Sequence, residues 1–413
     1  MRSTRLTFPL YLGGAGLSLF GNAAIAIVLP WLVISRTGDP SAAAVVAAAA
    51  GIASVPATFF AGRLTDRFGH RNVAVAADVG SALSVAAIAG VDATFGLSLS
   101  WFVALGVAGA IFDVPGMTAR QALLADVSTT SGVPVDKVAG GFQTMFGVAF
   151  LAGPGVAGFL MTVLEPIDVV WLTAACSAAA ALATLCMRLT NEVPAAHEEQ
   201  ELLGGWATIR RSRALKSMLV LAFASSFVTP PLISVLLPSH FNATGHPAQL
   251  GLCLSAFAVG SLVGSLLYPL MAGRSRRTAF VSGILAMTFG MSLFAALAGF
   301  WLIAAGTLAM GIGSGLFGPI WNVYVAERVP ARVRGQVLGL TNAIALAAGP
   351  LGLGVLSLLL MRWDLVVGAV VMAAVWGVAA VYALVSRGMK ELSSDPDPAE
   401  TAPAAVASPA GAH

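Results

Sequence analysis

Charged residues are scarce in this chain. Aspartate, glutamate, lysine and arginine together make up only 10% of its 413 residues, whereas 58% are hydrophobic. A soluble protein carries about 25% charged residues, because much of its folded surface must be wetted by water. So low a charged fraction excludes a soluble domain of this length and favours a chain whose surface faces lipid.

Lysine and cysteine are also rare, and each shortage excludes a class of function. None of the three lysines follows a glycine, so the chain lacks a GK[ST] phosphate-binding loop, which argues against an ATP-driven pump. The three cysteines lie in apolar stretches, and this argues against a disulfide framework and against a zinc site. Nucleophiles, bases and metal ligands are not clustered as an enzyme would require. We therefore expect no metal, no cofactor and no enzymatic activity.

Long apolar stretches recur along the chain, with the length of about 20 residues that crosses a bilayer as a helix. The 45 glycines suit close packing of such helices, because small residues let backbones approach each other in lipid. The sequence therefore predicts an all-α integral membrane protein with twelve transmembrane helices. We place the spans near residues 8–35, 41–62, 72–91, 97–125, 139–163, 167–188, 216–240, 248–272, 278–298, 301–327, 335–361 and 365–387.

The distribution of lysine and arginine predicts how the chain is oriented. If the N-terminus is cytoplasmic, nearly all of the 22 basic residues fall in cytoplasmic segments. Only Arg36 and Arg362 fall in outer loops, and Arg120 lies within a span. Basic residues accumulate on the cytoplasmic side of membrane proteins. We therefore expect a multi-pass protein of the cell membrane with both termini in the cytoplasm, and no nucleic-acid partner.

A break between spans six and seven divides the chain. The sequence predicts an N-terminal six-helix bundle over 1–189, a cytoplasmic central loop over 190–215, a C-terminal six-helix bundle over 216–387 and a disordered cytoplasmic tail over 388–413. Within the loop, residues 197–213 are typical of an amphipathic helix on the membrane surface. Acids lie at its start and arginines at its end, and we expect one apolar side that carries Leu202, Trp206 and Ile209. The alternative is a simple linker.

The two halves contain a repeated arrangement of glycine and proline. Spans five and eleven share a glycine-proline pair followed four residues later by glycine: Gly153, Pro154 and Gly158, then Gly349, Pro350 and Gly354. Spans four and ten share a glycine six residues before a proline: Gly109 and Pro115, then Gly313 and Pro319. Both matches link spans six apart, which indicates two pseudo-symmetric six-helix bundles. Such repeats build alternating-access transporters, whose substrate site lies between the halves near the midplane.

A charged segment joins spans two and three. Residues 62–71 read GRLTDRFGHR and resemble the signature G-x-L-x-D-R-x-G-R-R of the major facilitator superfamily. The Gly-Pro segment of span five resembles the antiporter motif G-P-x-x-G-G, with Ala157 in place of its first terminal glycine. Residues 113–121 are similar to the bacterial drug and metabolite exporters of that superfamily. The resemblance covers about residues 8–387 and implies the major facilitator fold.

The resemblance also implies a cytoplasmic gate, because in this superfamily the loop contacts the ends of neighbouring helices. The implied gate residues are Gly62, Asp66, Arg67, Gly69, His70, Arg71 and Asp126. Asp66 would meet the start of span eleven, near Arg334 and Gly335, since a carboxylate is favourable at a helix N-terminus. His70 departs from the family pattern, which has arginine there. The alternative is that these charges only set the topology.

Three charged side chains lie well inside the predicted spans: Asp78, Asp113 and Arg120. Charged groups are costly within a bilayer and are functional candidates there. Arg120 follows Asp113 by seven residues on nearly the same helix face, so we expect it to lean toward Asp113. We predict that Asp113 binds the coupling proton and that Arg120 tunes it or contacts substrate. A structural ion pair is the alternative, and Asp78 belongs either to the gate or to the cavity.

Six neutral polar residues within the spans are secondary candidates. They line a substrate cavity or form hydrogen bonds between helices. They are Asn22, Gln121, Gln143, Tyr268, Asn322 and Asn342.

Together these features predict an alternating-access transporter that exports a hydrophobic or amphiphilic small molecule, drug-like compound or metabolite, in exchange for protons. The alternatives are proton-coupled import of a small nutrient, sodium coupling, a channel and a membrane-embedded enzyme. A nutrient importer is expected to need more polar groups in its cavity. The expected partners are the small-molecule substrate, protons and the lipid bilayer. The functional unit is expected to be a monomer, because one chain contains both halves.

Overall fold

The computed structural model describes residues 6–189, 202–272, 275–329 and 331–386, and their regular structure is helical. The predicted tail over 388–413 and the start of the predicted central loop lie outside these residues. The helices are α1 (Thr7–Thr37), α2 (Pro40–Phe68), α3 (His70–Thr94), α4 (Leu99–Ser131), α5 (Val135–Val163), α6 (Pro166–Cys186), α7 (Leu202–Arg211), α8 (Arg213–Pro231), α9 (Leu237–Thr244), α10 (Pro247–Ala272), α11 (Arg276–Ala295), α12 (Phe300–Arg328), α13 (Ala331–Leu360) and α14 (Leu365–Val385).

Within the described residues, twelve helical segments are long and apolar enough to cross a membrane. The predicted number of spans is thereby confirmed. Span seven, Arg213–Thr244, is composite, because a π-helical turn over Leu232–Leu236 joins α8 to α9. Pro230 and Pro231 end α8 and lack the backbone N–H that continues an α-helix, so a wider turn follows them.

The charged segment between spans two and three is mostly helix, and the prediction of a loop over 62–71 is wrong. Helix α2 continues through Phe68 and α3 begins at His70, so Gly69 alone separates them. Gly69 has a φ of +83°, which side chains rarely adopt, and its N–H donates to the carbonyl oxygen of Thr65 at 2.9 Å. The charges of this segment therefore lie on the ends of two helices.

Glycines allow close packing within the second half. A Cβ at Gly311 would lie 2.1 Å from the carbonyl oxygen of Phe257, and one at Gly315 would lie 2.0 Å from that of Ser261. Both distances are shorter than any real Cβ contact. Helices α10 and α12 approach this closely because these residues have no side chain.

The repeated Gly-Pro segments lie where the two halves meet. A Cβ at Gly158 of α5 would lie 2.9 Å from the backbone of Gly251 in α10. A Cβ at Gly51 of α2 would lie 2.8 Å from the ring of Pro350 in α13. Helices α2 and α5 of the first half therefore contact α13 and α10 of the second half through residues with small or compact side chains.

Side-chain hydrogen bonds join the two halves toward one end of the bundle. Helices α1, α3 and α5 begin at the same end of the bundle, and we call this end the basic face because arginines of α2, α3 and α11 lie there. We call the other end the opposite face. Near the opposite face, the amide of Asn242 donates to the hydroxyl of Ser35 at 2.7 Å. Further in, the hydroxyl of Ser255 donates to the carbonyl oxygen of Leu151 at 2.9 Å. The two halves are therefore in contact near the opposite face.

Helix α7 occupies the described part of the predicted amphipathic helix over 197–213. It packs against α13, with Ile209 buried and Trp206 exposed. A buried residue three positions after an exposed one does not fit the prediction that both lie on one apolar side. Residues 202–211 of the segment are helical.

Candidate functional site

A buried ion pair joins α3 to α4 in the first half. The guanidinium of Arg120 contacts one carboxylate oxygen of Asp78, and both side chains are buried. The hydroxyl of Ser18 in α1 donates to the other carboxylate oxygen at 3.0 Å. The hydroxyl of Tyr11, also in α1, donates to the backbone carbonyl of Arg120 at 2.8 Å. Helices α1, α3 and α4 are thereby tied together around the pair.

The ion partner of Arg120 is Asp78, and within the described residues no ion pair joins Arg120 to Asp113, although both line one small cavity. Helix α3 packs very closely against α4, since a Cβ at Gly80 would lie 2.4 Å from the ring of Phe112. This approach brings the carboxylate of Asp78 within reach of the guanidinium. The spacing of residues along α4 contains no information about which side chain of α3 lies against Arg120.

Asp113 lies beside this pair without joining it. It shares a small cavity with Asp78 and Arg120, and the hydroxyl of Ser81 lies next to its carboxylate. Among the residues that the structure describes, no ion pair includes Asp113. The cavity measures about 20 Å³, which is space for about one water molecule. We call Asp78, Asp113 and Arg120 the charged site. Its cavity has room for water and protons but not for a drug-sized molecule.

Three of the predicted gate residues make contacts within the first half. Nδ1 of His70 lies 2.6 Å from a carboxylate oxygen of Asp126, with both side chains buried, so the start of α3 is joined to the end of α4. Arg71 donates to the carbonyl oxygens of Thr184 and Leu185 near the end of α6. These contacts hold α3, α4 and α6 together at the basic face.

The other gate residues lie in or just after the end of α2. Asp66 and Arg67 are exposed in its last turn, and the guanidinium of Arg67 lies 5.4 Å from the ring centroid of Phe68. Gly62 lies nearly two turns earlier in the same helix, and Gly69 ends it. The contact of Asp66 with the start of span eleven stays a prediction.

The second half has a comparable tie at the basic face, where a tie is a pair of side chains that joins two helices of the same half. The guanidinium of Arg276, at the start of α11, binds both carboxylate oxygens of Glu327 near the end of α12, one of them at 2.8 Å. It joins the third and fourth helices of its half, as His70 and Asp126 do in the first half. The two ties differ in burial, because the side chains of Arg276 and Glu327 are 38% and 35% exposed.

A larger cavity lies in the second half, between α8, α11, α12 and α13. It measures about 230 Å³, and none of the described side chains that line it is charged. We call it the second-half cavity. Its lining includes three aromatic residues and five with hydroxyl or amide groups: Phe280, Phe317, Trp321, Ser225, Ser226, Ser314, Thr341 and Asn342.

The structure does not bring the six neutral polar candidates together. Asn342 lines the second-half cavity and Asn22 lines the cavity of the charged site. The remaining four lie elsewhere on their helices, three exposed and one buried: Gln121, Gln143, Asn322 and Tyr268. In the described parts of the chain, no three His, Cys, Asp or Glu side chains are close enough to hold a metal ion.

Several residues of the two cavities were not identified from the sequence. Ser18 and Ser81 contact the carboxylates of the charged site, and Phe280 and Trp321 line the second-half cavity. Serine and aromatic residues are common in apolar spans, so their identity alone does not mark a site. A signal existed for Phe317, because the repeat of spans four and ten aligns it with Asp113.

Among the described residues, twelve helices long and apolar enough to cross a membrane, with a charged site buried in one half and a larger cavity in the other, have the architecture of a membrane transporter. The sequence matches the family profile of the Major Facilitator Superfamily over residues 11–246 and 218–410, and the chain belongs to this superfamily.

Two relatives are similar over most of their length. The multidrug efflux pump Tap of Mycolicibacterium fortuitum is 30% identical over 343 residues, which cover 81% of this chain and 84% of the relative. The multidrug efflux pump Tap of Mycobacterium tuberculosis (strain ATCC 25618 / H37Rv) is 32% identical over 349 residues, which cover 81% of this chain and 82% of the relative.

Solved structures of other transporters share the fold. The nucleoside transporter NupG superposes with a TM-score of 0.71 at 16% identity and covers 94% of this chain and 98% of its own. A bacterial homologue of the iron transporter ferroportin, in an inward-facing state, superposes with a TM-score of 0.68 at 16% identity and covers 92% of this chain and 98% of its own. The predicted major facilitator fold is confirmed.

Proposed function

We propose that the protein exports hydrophobic or amphiphilic small molecules across the cell membrane in exchange for protons. The relatives described as multidrug efflux pumps support the direction of transport and the kind of cargo. The uncharged lining of the second-half cavity supports an apolar cargo, because a cargo there meets no fixed charge. One chain contains both halves, so a monomer is the proposed functional unit.

We assign the basic face to the cytoplasm, with both termini on that side, because lysine and arginine accumulate there in membrane proteins. In this orientation the hydrogen bond between Asn242 and Ser35 joins the two halves near the outer face. Cys186, exposed at the end of α6, offers a check. A membrane-impermeant thiol reagent should label it in inverted vesicles and leave it unlabelled in intact cells, and the reverse pattern would contradict the orientation.

Asp113 carries the proposal of proton coupling. Its carboxyl group lies in a membrane span, while the neighbouring charges of Asp78 and Arg120 compensate each other. A neutral carboxylic acid is tolerated in a low-dielectric interior far better than a carboxylate. Protonation of Asp113 therefore changes the free energy of the conformational step that excludes water from the charged site. This couples proton binding to the alternation between conformations that open to one face or the other.

The experiment follows efflux of a hydrophobic fluorescent dye from loaded cells, with and without a protonophore. Wild-type efflux should stop when the protonophore collapses the proton gradient. Asp113→Asn should reduce efflux to the level of cells that lack the protein, because an amide neither gains nor loses the proton. Asp168→Asn is the matched control, since Asp168 is exposed in the first turn of α6 at the opposite face, and it should export like the wild type.

Three results would contradict parts of the proposal. Efflux that persists in Asp113→Asn would leave this residue a structural role and direct the search to Asp78. Efflux that ignores the protonophore and follows a sodium gradient would contradict proton coupling. If no hydrophobic dye moves in any strain, broad export is wrong and a narrow cargo or import becomes the better description.

A further inference from the structure

The second-half cavity has a fixed aromatic wall. The ring of Phe317 meets that of Phe280 edge to face, with centroids 6.1 Å apart, and lies 6.0 Å from the ring of Trp376. Trp376 is completely buried, and its indole N–H donates to the hydroxyl of Thr288 at 2.9 Å. This hydrogen bond holds Trp376, and Trp376 in turn supports Phe317 from behind. A wall that is ordered in advance loses little conformational entropy when a ligand binds.

The volume of the cavity limits what it can hold. At about 230 Å³ it exceeds the cavity of about 150 Å³ that binds benzene in a protein core, but it is smaller than the pockets of about 300–1,000 Å³ that take whole drug-sized molecules. A group of about two fused rings fits this range. Ser225, Thr341 and Asn342 add hydroxyl and amide groups to the apolar walls, so the same group can carry a hydrogen-bonding substituent.

The charge of the ligand follows from the lining. No side chain that the structure describes in the lining is charged, and the charged site lies on helices of the other half. A charged group that entered would lose hydration without gaining an ion partner, and an aromatic face would return only part of that loss to a cation. An uncharged ring system has no such cost.

We propose that the second-half cavity is the cargo subsite for an uncharged aromatic group of about two fused rings. The proposal rests on the proposed export function and names the part of the cargo that this half recognises. It assigns recognition of the ring system to α8, α11, α12 and α13, while the proton site lies on α4.

Gly318 allows the cavity to be filled without disturbing helix packing. It lines the cavity, and a Cβ built on it has no heavy atom within 4 Å. Gly318→Leu therefore extends a side chain into the cavity space. Gly377→Leu is the matched control, because Gly377 lies in α14 of the same half, has equally free space around a Cβ, and is not among the lining residues. Ala345→Leu fills the cavity from α13 and serves as a second variant.

The test measures equilibrium binding to the purified protein in nanodiscs. The probe is prodan, an uncharged naphthalene fluorophore with a carbonyl acceptor, and the signal of empty nanodiscs is subtracted to remove partition into lipid. Wild type and Gly377→Leu should bind prodan saturably with equal affinity. Gly318→Leu and Ala345→Leu should bind it about tenfold more weakly or worse. A naphthalene with a trimethylammonium group should bind the wild type about tenfold more weakly than prodan.

Equal affinity of wild type and both filled variants would overturn the subsite, provided that the variants unfold thermally at the temperature of Gly377→Leu. Tighter binding of the trimethylammonium probe would overturn the assignment of an uncharged group. Binding is measured without any gradient, so its failure is distinct from failure of export. Saturable binding that Gly318→Leu abolishes, in a protein that exports no dye, would support the subsite and contradict only the export proposal.

Discussion

Helices α4 and α12 occupy equivalent places in the two halves, and each carries a proline six residues after a glycine. At positions matched by these prolines, α4 has Asp113 and Arg120 where α12 has Phe317 and Tyr324. The first half consequently has a buried ion pair and a further carboxyl group beside a cavity of about 20 Å³, whereas the second half has a cavity of about 230 Å³ that aromatic rings help to line. Two helices with the same glycine-proline framework thus carry two different chemistries.

This difference assigns separate tasks to the two halves under the proposed function. A proton needs a buried carboxyl group and little space, whereas an apolar cargo needs space and no fixed charge. The two sites are connected by packing, because α4 contacts α2, α2 contacts α13, and α13 contributes Thr341 and Asn342 to the second-half cavity. A shift of α4 on protonation of Asp113 can therefore reach the second-half cavity through two helix contacts, α4 with α2 and α2 with α13.

The largest expected effect comes from breaking the charged site of the first half. Arg120→Met should lower the free energy of unfolding by about 3–5 kcal/mol, because it leaves the carboxylate of Asp78 buried without its cation. The measurement is chemical unfolding of the purified protein in detergent. The double variant Asp78→Asn with Arg120→Met removes both charges and should regain most of the loss.

A double variant no more stable than Arg120→Met would show that the arginine acts through its packing and not through its charge. A single variant as stable as the wild type would mean that the pair contributes nothing to stability. Either result would weaken the contrast between a half organised around charge and a half organised around apolar contacts.

The sequence was sufficient to predict the spans, the superfamily and the three charged residues of the charged site. Length and apolarity decide whether a helix crosses a membrane, and Asp78, Asp113 and Arg120 stand out because charge is rare there. The pairing of Arg120 was not predictable, because it depends on how closely Gly80 lets α3 approach the ring of Phe112. That approach is a property of two helices and appears in neither segment alone.

The second-half cavity was harder still to predict. Phenylalanine and tryptophan in a span can face lipid, a neighbouring helix or a cavity, and composition does not separate these cases. Asn342 was the one predicted residue that lines this cavity. It was predicted because an amide group is unusual in a membrane span. The segment 62–71 shows the opposite error, since its glycines and charges are typical of a loop, yet only Gly69 leaves the helical conformation.

The smallest expected effect concerns the ties at the basic face, where the two halves are most alike. Arg276→Leu removes a pair whose side chains are more than a third exposed, so the free energy of unfolding should fall by less than about 1 kcal/mol. His70→Leu removes the buried contact with Asp126 and should cost about 1–3 kcal/mol. Both variants are measured by chemical unfolding in detergent, at low and at high salt.

Salt separates the two ties, because it screens exposed charges and leaves buried contacts largely unaffected. The effect of Arg276→Leu should disappear at about 1 M salt, where the screening length is about 3 Å, while that of His70→Leu should persist. Equal effects that both survive high salt would mean that the halves are equivalent at the basic face. The difference between them would then be confined to the membrane interior, where Asp113 and Phe317 face their separate cavities.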